Sequence, residues 1–371
     1  MYLKNRSKKT RKWTAFLGIA ASVILGIGSL GAGSAGAGNA VIDTLKAGMH
    51  LTAETVMAAE TVMAAEKDSS VAPENETFEV AENIEELEAD PNVQKLNPED
   101  VLWPDIEEDI LEGKNVVNIL LIGQDRRDGE TRQRSDTIIL ATLNKEKNKI
   151  SITSFMRDLY VQIPGYSDNR INAAYPFGGM ELLDQVIETN FGIHIDGNVE
   201  VDFSGFQTII DMLGGVEIEL SQAEADYICG RSQNVLYPQT YREDWQYLTE
   251  GVNTLTGEQA LVHARNRSIG NSDYERTERQ REVLLACFEK VKEADMLTLL
   301  SLVDDAFDMI TTDLSHGELL GYAMNVLDMG FDSLESYRIP QDGAFSTAVI
   351  RQMQVLVPDL AACRSYLAEV L

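Results

Sequence analysis

Two stretches of the sequence combine arginines with acids in a pattern that suits a charged ligand. The first is GQDRRDGETRQRSD, which lies between two apolar runs and contains Asp125, Arg134 and Asp136. Asp125 closes one predicted strand and Asp136 opens the next, so both carboxylates should lie at the same end of a sheet. Oxygen ligands of this kind suit Mg²⁺, which takes one or two carboxylates together with waters and substrate phosphates. A polar surface turn with mutually paired charges is the alternative interpretation of this loop.

The second stretch, HARNRSIGNSDYERTERQRE, places arginines on both sides of a predicted helix start. If the segment before the helix is extended, Arg265 and Arg267 point to the same side. On the helix itself Arg276 and Gln280 lie four residues apart with Arg279 beside them, and their stripe continues into apolar, core-facing positions. These side chains are therefore predicted to face inward at the start of the helix.

Inward guanidinium groups need anions, and the amino terminus of a helix is itself a site for an anion. Arg157, which follows the predicted strand KISITSF, is expected to join the group. Asp273 and Glu275 permit one interpretation, in which the arginines are held in buried ion pairs. The other interpretation is a polyanionic ligand, most simply a pyrophosphate with a metal, and it fits the number of arginines better.

Several other chemistries lack support in the sequence. No serine or cysteine nucleophile lies at a suggestive spacing from His194, His263 or His316. The phosphate-binding patterns GxxxxGK[ST] and GxGxxG are both absent, which leaves nucleotide chemistry without support. Three cysteines are too few and too scattered for a disulfide scaffold or a zinc cluster. The formal net charge of −29 argues against a nucleic-acid binder, because cations supply most of the affinity for phosphate backbones.

The elements that position these side chains begin near Val116. VVNILLIG is a continuous β-branched and aliphatic run, typical of a strand buried on both faces, and TIILATLN and KISITSF predict a hairpin pair. Helical patterns then alternate with further strands as far as a closing helix at DLAACRSYLAEV. This alternation predicts an α/β fold, a layered α-β-α domain over 115–371 with a largely buried mixed central sheet.

The chain ahead of this domain divides into three predicted parts. Residues 1–12 are basic, and residues 13–33 contain the uncharged run WTAFLGIAASVILGIGSL, which is about long enough to cross a bilayer core. The basic flank predicts a cytoplasmic amino terminus and an extracellular remainder. Two interpretations stay open, an uncleaved transmembrane signal-anchor in the cell membrane and a cleaved secretory signal. Residues 34–114 are low in complexity and acidic, which predicts a mostly disordered stalk.

Ordered motifs along the domain resemble those of the LytR-CpsA-Psr family. They are NILLIGQDRR, RSDTIIL, SFMRDLYVQIPG, RINAAYPFGG, VDFSGF, DMLGGVEI, LTGEQALVHARNRS and SDYERTERQR. The resemblance implies an enzyme that transfers cell-wall glycopolymers, such as teichoic acid or capsule, at the outer face of the membrane. It implies a polyprenyl pyrophosphate-linked glycan as donor and peptidoglycan as acceptor. A sugar hydroxyl of peptidoglycan would attack the phosphorus nearest the glycan, leaving a phosphodiester and releasing lipid monophosphate.

The resemblance also implies roles for residues of this chain. Asp125 and Asp136 are similar to the acids that hold Mg²⁺ (or Mn²⁺), and Asp125 is the candidate base unless water or no residue fills that role. The side chains similar to the family's pyrophosphate-binding set are Arg134, Arg157, Arg265, Arg267, Arg276, Arg279 and Gln280. The group implied in catalysis is Asp125, Asp136, Arg157, Arg265 and Arg267. The chain departs from the family in having Met156 where proline is common and Arg170 where lysine is common.

Three functions stay open on the sequence. The first is the phosphotransferase. The second is a hydrolase, in which the same site passes the phosphoryl group to water and releases lipid phosphate. The third is a non-catalytic protein that binds or senses the lipid-linked glycan, and it predicts loss of the acids or arginines, which this chain retains.

Overall fold

The computed structural model describes residues 93–104, 110–111, 115–124, 134–270, 273–293, 296–329 and 334–371. The predicted basic tail 1–12, the predicted signal-anchor 13–33, most of the predicted stalk and Asp125 lie outside these residues. None of the helices in the described ranges is both long enough and apolar enough to cross a membrane.

The strands of the described ranges are β1 (Gln94–Lys95), β2 (Val116–Gln124), β3 (Ser135–Asn144), β4 (Lys149–Phe155), β5 (Tyr160–Val161), β6 (Asn169–Arg170), β7 (Gly197–Val201), β8 (Val216–Leu220), β9 (Gly251–Leu255), β10 (Ile310–Thr312), β11 (Leu334–Ile339), β12 (Phe345–Ile350) and β13 (Met353–Pro358). The α-helices are α1 (Ala174–Phe191), α2 (Phe203–Met212), α3 (Gln222–Ile228), α4 (Gly257–Ala264), α5 (Asp273–Glu293), α6 (Met296–Phe307), α7 (His316–Met329) and α8 (Leu360–Val370).

A six-stranded mixed sheet in the order β10-β7-β2-β3-β4-β11 forms the centre of the domain. β3 is antiparallel to both β2 and β4, whereas β7 lies parallel to β2 and β11 lies parallel to β4. The mixed central sheet and the β3–β4 hairpin pair that the sequence predicts are therefore confirmed.

Helices cover both faces of this sheet, which gives the predicted α-β-α layering. Along β2, Ile119 and Leu121 belong to a core that includes side chains of α2, α4 and α5, while Leu120 is fully buried on the opposite face. On that opposite face Phe155 of β4 packs against Phe191 of α1, with ring centroids 4.9 Å apart. Burial on both faces explains why the β2 sequence is a continuous apolar run and not an alternating one.

The described residues ahead of β2 pack on the folded domain. β1 pairs in parallel with β12, which in turn pairs with β13. The Nε1–H of Trp103 donates to Asp168 Oδ2 at 2.8 Å, and the indole stacks on Tyr160 with ring centroids 6.0 Å apart. Residues 93–104 therefore carry ordered contacts inside the predicted stalk 34–114, and the acidic composition of that stretch does not indicate them because their partners are distant in sequence.

Replacing Trp103 with alanine is expected to lower the free energy of unfolding by about 2 kcal/mol, because the variant loses the stacking on Tyr160 and the hydrogen bond to Asp168. Denaturant unfolding of the full-length chain measures the change. Leu102→Ala is the matched control, because Leu102 is 89% exposed and its truncation should leave the stability unchanged. Equal stability of the two variants would show that this segment does not contribute to the stability of the domain.

Candidate functional site

One end of the central sheet brings together the first predicted side chains. Gln124, the last residue of β2, pairs with Ser135, the first residue of β3, so Asp136 lies at this end. β4 runs antiparallel to β3 and ends at Phe155, which places Arg157 at the same end. The Nη1 atom of Arg157 lies 3.1 Å from Oδ1 of Asp136. The strand directions therefore bring Asp136 and Arg157, which belong to separate motifs of the sequence, into contact.

The segment around the start of α5 supplies the other wall of the same site. Arg276 places Nη2 3.0 Å from Asp273 Oδ1 and Nη1 3.8 Å from Asp136 Oδ2. Arg267, between α4 and α5, lies 3.4 Å from Asp136 and 3.5 Å from Asp273. Arg157 completes the network through Nη2, which is 3.4 Å from Asp273 Oδ2. Three predicted arginines therefore converge on two carboxylates, and Asp273 forms the ion pairs that the alternative interpretation allows.

A third carboxylate braces Arg157 from the side away from Asp136. Asp158 Oδ2 lies 3.5 Å from Nε of Arg157, and Asp158 Oδ1 lies 3.3 Å from Nη1 of Arg170. Arg170 Nε also donates to the carbonyl of Gln354 at 2.9 Å. The forked guanidinium of Arg170 contacts a carboxylate and a carbonyl at once, which the compact ammonium of a lysine does less well.

The arginines control the charge state of the two central acids. Burial alone would raise the pKa of Asp136, but the surrounding guanidinium groups, Arg157 foremost, hold it well below its usual range. The pKa of Asp273 is likewise lowered against the effect of burial, chiefly by Arg276. Both carboxylates are therefore ionised near neutral pH and are weak proton acceptors, so neither suits the role of general base.

The ion pairs of Asp136 give the protein a stability that depends on pH. Because the folded-state pKa lies below the ordinary value of 3.8, the carboxylate contributes stability above that value and loses it as pH falls through the folded-state pKa. Asp136→Asn is therefore expected to reduce the free energy of unfolding near neutral pH, and the gap to wild type should narrow below about pH 4. Denaturant unfolding of both proteins across the acidic range measures the gap, and a gap that does not change with pH would contradict this account.

Among the described residues, the site holds one more guanidinium group than carboxylates. Within the described residues, the network consists of the guanidinium groups of Arg157, Arg170, Arg267 and Arg276 and the carboxylates of Asp136, Asp158 and Asp273. Burial, followed by the charges of Arg157 and Arg267, lowers the pKa of Arg276 to about 10. The amide Nε2 of Gln280 is buried and has no hydrogen-bond partner in the part of the chain that the structure describes. A bound anion would supply both the missing charge and the missing acceptor.

Arg265 occupies a different environment from Arg267, and the predicted extended segment is wrong. α4 continues to Ala264, and Arg265 keeps a helical backbone with φ −93° and ψ −6° because its N–H still bonds to the carbonyl of Leu261. The guanidinium of Arg265 lies over the ring of Phe203, 4.4 Å from its centroid. Arg265 and Arg267 therefore do not point to the same side as alternate residues of a strand would. Of the two, only Arg267 has a described contact with the central acids.

Arg279 faces inward as predicted, but its described contacts hold the loop that carries Arg267. Its Nε lies 2.8 Å from Oε1 of Glu224. Nη1 donates to the carbonyl of Asn266 at 3.1 Å, and Nη2 donates to the carbonyl of Ile269 at 3.0 Å. These two carbonyls flank Arg267 in the sequence, so Arg279 is a positioning residue in this arrangement. Its predicted contact with pyrophosphate stays a prediction.

Glu224 is the residue of this network that sequence reasoning missed. Its Oε2 accepts from the N–H of Ser221 at 2.9 Å in a capping box that begins α3. Burial opposes ionisation of Glu224, but Arg279 and Ser221 together lower its pKa. The S-x-x-E spacing signals the capping box, whereas the pairing with Arg279 depends on a contact between residues 55 positions apart. The local sequence therefore predicts the capping role of Glu224 but not its ion pair with Arg279.

The predicted metal site joins Asp136 to Asp125, which lies outside the described residues. Arg134 directly precedes β3 and so adjoins the same end of the sheet. Within the described ranges, no cluster of three or more acidic, histidine or cysteine side chains could hold a metal ion. The three cysteines are buried free thiols.

Comparison with known proteins relates the whole domain to one family. The model of the LytR_cpsA_psr family matches residues 69–364. A polyisoprenyl-teichoic acid–peptidoglycan teichoic acid transferase, TagU of Oceanobacillus iheyensis, is 34% identical over 214 residues. That match covers 56% of this chain and 61% of the relative, so it spans about three fifths of the relative's length.

Solved structures share the fold over most of the described domain. TagV of Bacillus subtilis is 26% identical with a TM-score of 0.55, and the match covers 69% of this chain and 97% of TagV. TagT bound to LI-WTA is 25% identical with a TM-score of 0.54, and the match covers 72% of this chain and 95% of TagT.

Proposed function

The chain belongs to the LytR-CpsA-Psr family, and from that premise we propose that it is a phosphotransferase. It moves a glycopolymer from a polyprenyl pyrophosphate carrier to peptidoglycan, or to another surface acceptor, through a phosphodiester. The name of the Oceanobacillus relative, which acts on polyisoprenyl-teichoic acid and peptidoglycan, supports this donor and this acceptor. The complex of TagT with LI-WTA supports a teichoic-acid-type glycan as the cargo.

The observation that carries the proposal is the excess of arginines over acids among the described residues at this end of the sheet. Arg157 pairs with Oδ1 of Asp136, and Arg267 and Arg276 both pair with its Oδ2. Gln280 adds a buried donor without a partner in the described residues. A pyrophosphate offers several anionic oxygens within a small volume, and planar guanidinium groups bind such oxygens through two parallel hydrogen bonds. The site therefore suits a pyrophosphate better than a single carboxylate or a neutral sugar.

In the reaction, the acceptor hydroxyl oxygen bonds to the phosphorus nearest the glycan, and the bond from that phosphorus to the bridging oxygen breaks. The bridging oxygen leaves with the lipid as lipid monophosphate. Arg267 and Arg276 neutralise charge on the phosphoryl oxygens as the bond breaks, which is where phosphoryl transfer gains most of its catalysis. Arg157 is held for the same task by Asp158 on one side and Asp136 on the other.

The proton of the acceptor hydroxyl must go to a group other than the two central acids. The pKa of Asp136 and the pKa of Asp273 are both lowered by the arginines. Asp125, which directly follows β2 in the sequence, remains the proposed acceptor of that proton, through a carboxylate oxygen that the metal leaves free. The alternatives are water or no residue at all. This assignment leaves Asp136 to hold the arginines in place and to serve as a metal ligand.

We propose Mg²⁺ (or Mn²⁺) as the cofactor. Asp136 is ionised across the physiological range, as a metal ligand must be, and one or two carboxylates with phosphate oxygens form a usual Mg²⁺ set. The arginines around Asp136 oppose a cation in the absence of an anion, so Asp136 and Asp125 would hold the metal together with the donor pyrophosphate. When bound, the ion would neutralise charge on the phosphate oxygens.

We also propose that the domain works at the outer face of the cell membrane, held there by the predicted signal-anchor at 13–33. The proposal is supported by the basic residues 1–12 and by the uncharged run that follows them. A donor carried on a polyprenyl lipid requires the site to stay near the bilayer surface, which a membrane anchor provides.

The test is reconstitution of the full-length chain in vesicles with a short polyprenyl pyrophosphate glycan, a peptidoglycan oligomer and Mg²⁺, followed by mass spectrometry of the products. The expected product is the glycan joined to peptidoglycan by a phosphodiester, formed in equal amount to lipid monophosphate. Addition of EDTA should abolish both products, and added Mg²⁺ should restore them. Turnover that is unaffected by EDTA would contradict the metal proposal alone.

The same experiment separates the other functions. Lipid monophosphate with glycan phosphate and no adduct would identify a hydrolase and overturn the transferase. Donor binding without turnover across several glycans would identify a binding protein.

A further inference from the structure

The loop between α3 and β9, residues 229–250, exposes an unusual share of apolar surface. Within the described residues, the exposed large apolar side chains are Leu102, Leu236, Tyr237, Tyr241, Tyr247 and Val252. Five of these six lie between 236 and 252, and the three tyrosines are 42%, 58% and 60% exposed. Apolar residues scattered singly over a surface need no explanation, but their concentration in one short stretch makes that stretch a candidate interaction site.

The exposure does not come from a loosely held loop, because the 229–250 loop is held by contacts with α3, with α4 and with its own backbone. Arg231 Nε lies 2.7 Å from Asp226 Oδ1, and Arg231 Nη2 donates to the carbonyl of Leu248 at 2.9 Å. Arg242 lies over the ring of Trp245 at 4.1 Å and pairs with Glu258 at 2.6 Å. The polar and charged groups of the loop thus hold its shape, and the tyrosines are left facing solvent.

The 229–250 loop also borders the arginine site. The N–H of Tyr237 donates to Oγ of Ser268 at 3.1 Å, and Ser268 directly follows Arg267. Further along, the hydroxyl of Tyr247 accepts from Nε2 of Gln259 at 2.9 Å, and Gln259 lies on α4. The loop therefore runs beside α4 and reaches the segment that carries Arg267. The end of the loop at Tyr237 is therefore adjacent to the segment that carries Arg267.

The charged residues of the loop limit the kinds of ligand that it can bind. Arg231 and Arg242 are both engaged in ion pairs, so neither is available to attract an anion. Glu243, Asp244 and Glu250 are exposed and repel polyphosphate. Tyrosine rings with neighbouring hydroxyl and amide groups suit an uncharged pyranose, whose C–H face packs on the ring while its hydroxyls form hydrogen bonds. The surface therefore suits sugars and disfavours the phosphate-rich part of a polymer.

We propose that Tyr237, Tyr241 and Tyr247 form a binding surface for the uncharged sugars of the donor glycan that adjoin the pyrophosphate. The proposal rests on the function proposed above and adds to it the part of the glycan that the enzyme recognises. The donor is chosen over the acceptor because its first sugar is bonded to the pyrophosphate and Tyr237 is one hydrogen bond away from the segment that carries Arg267.

The test compares two donors on the full-length chain: a polyprenyl pyrophosphate that carries a disaccharide, and farnesyl pyrophosphate, which carries no sugar. Tyr237→Ser/Tyr241→Ser is expected to weaken binding of the disaccharide donor about tenfold, because two ring contacts are lost. Binding of farnesyl pyrophosphate should change less than about twofold, since the arginine site is untouched. Tyr237→Phe/Tyr241→Phe keeps the rings and should retain most of the affinity, while Leu102→Ser controls for loss of exposed apolar surface elsewhere.

Other outcomes overturn the proposal in distinguishable ways. Equal weakening of both donors would mean that the 229–250 loop supports the arginine site and does not read sugars. An unchanged donor affinity together with a raised KM for peptidoglycan would assign the surface to the acceptor. Failure of the unmutated protein to bind farnesyl pyrophosphate would count against the proposed function itself, whatever the tyrosine variants do.

Discussion

Arg267→Ala is expected to lower turnover of the lipid-linked donor by roughly 10²–10³-fold, the usual loss when one stabilising donor to a developing anion is removed. Arg267 contacts both central acids, and its side chain is 24% exposed, so it combines a position in the site with access to a ligand. Its removal leaves Asp136 and Asp273 paired with Arg157 and Arg276. The fold should therefore survive the substitution.

Arg267 is a better test of the site than Arg276 for a physical reason. The side chain of Arg276 is only 5% exposed, and its removal would leave a cavity and would take from Asp273 its 3.0 Å ion pair. Loss of activity in an Arg276 variant would then report on folding as much as on catalysis. If Arg267→Ala loses activity while its unfolding midpoint is unchanged, the loss is due to the chemical role of Arg267 and not to misfolding.

Two further variants complete the comparison at position 267. Arg267→Lys keeps the charge but not the forked donor geometry, so it should recover only part of the lost turnover. Arg351→Ala removes an exposed arginine whose described hydrogen bond is to the carbonyl of Asp168, and it should leave turnover unchanged. Turnover of Arg267→Ala within about threefold of wild type, measured by release of lipid monophosphate, would remove Arg267 from the proposed chemistry.

The residues at the end of the sheet were predicted well, because few arrangements of strands satisfy the pattern of apolar runs and turns in this sequence. A continuous apolar run such as that of β2 must be buried on both faces, and two such runs joined by a short polar turn pair as a hairpin. Once β3 and β4 are paired, Asp136 and Arg157 must lie at the same end of the sheet. The inward stripe on α5 then brings Arg276 to them, because the stripe continues into buried positions such as Leu284.

The sequence failed where a side chain's role depends on distant backbone. The capping box at Thr256 and the run GEQALVHA indicate the extent of α4, but no local signal shows that Arg265 keeps a helical backbone after it. The assumption of an extended segment at 264–267 followed from that gap. An inward stripe predicts that Arg279 is buried without saying whether it meets a ligand or the loop at Asn266. The contacts of Trp103 were missed for the same reason, since Asp168 lies 65 positions away.

Glu224→Gln is expected to reduce the free energy of unfolding by about 3 kcal/mol and to lower turnover as well. The substitution removes the charge opposite Arg279, whose side chain is 5% exposed, and breaking a buried pair on one side leaves an uncompensated charge. Glutamine still fits the capping box with Ser221, so the start of α3 should be preserved. Turnover should fall because Arg279 is no longer held against the carbonyls on either side of Arg267.

The direction of the activity change distinguishes two roles for Arg279. If Arg279 binds pyrophosphate directly, as the resemblance implies, release from Glu224 should leave donor binding unchanged or make it tighter. If Arg279 holds the loop, release should weaken the contribution of Arg267, and turnover should fall even at saturating donor. Donor affinity and turnover number, measured separately on the full-length chain, decide between the two.

The double variant Glu224→Gln/Arg279→Met separates charge burial from loop positioning. Removing both charges eliminates the uncompensated cation, so stability should return to within about 1 kcal/mol of wild type. Turnover should stay low, because methionine donates nothing to the carbonyls of Asn266 and Ile269 and the loop around Arg267 remains unheld. If turnover instead returned together with stability, the pair would serve the fold alone and the positioning role of Arg279 would be wrong.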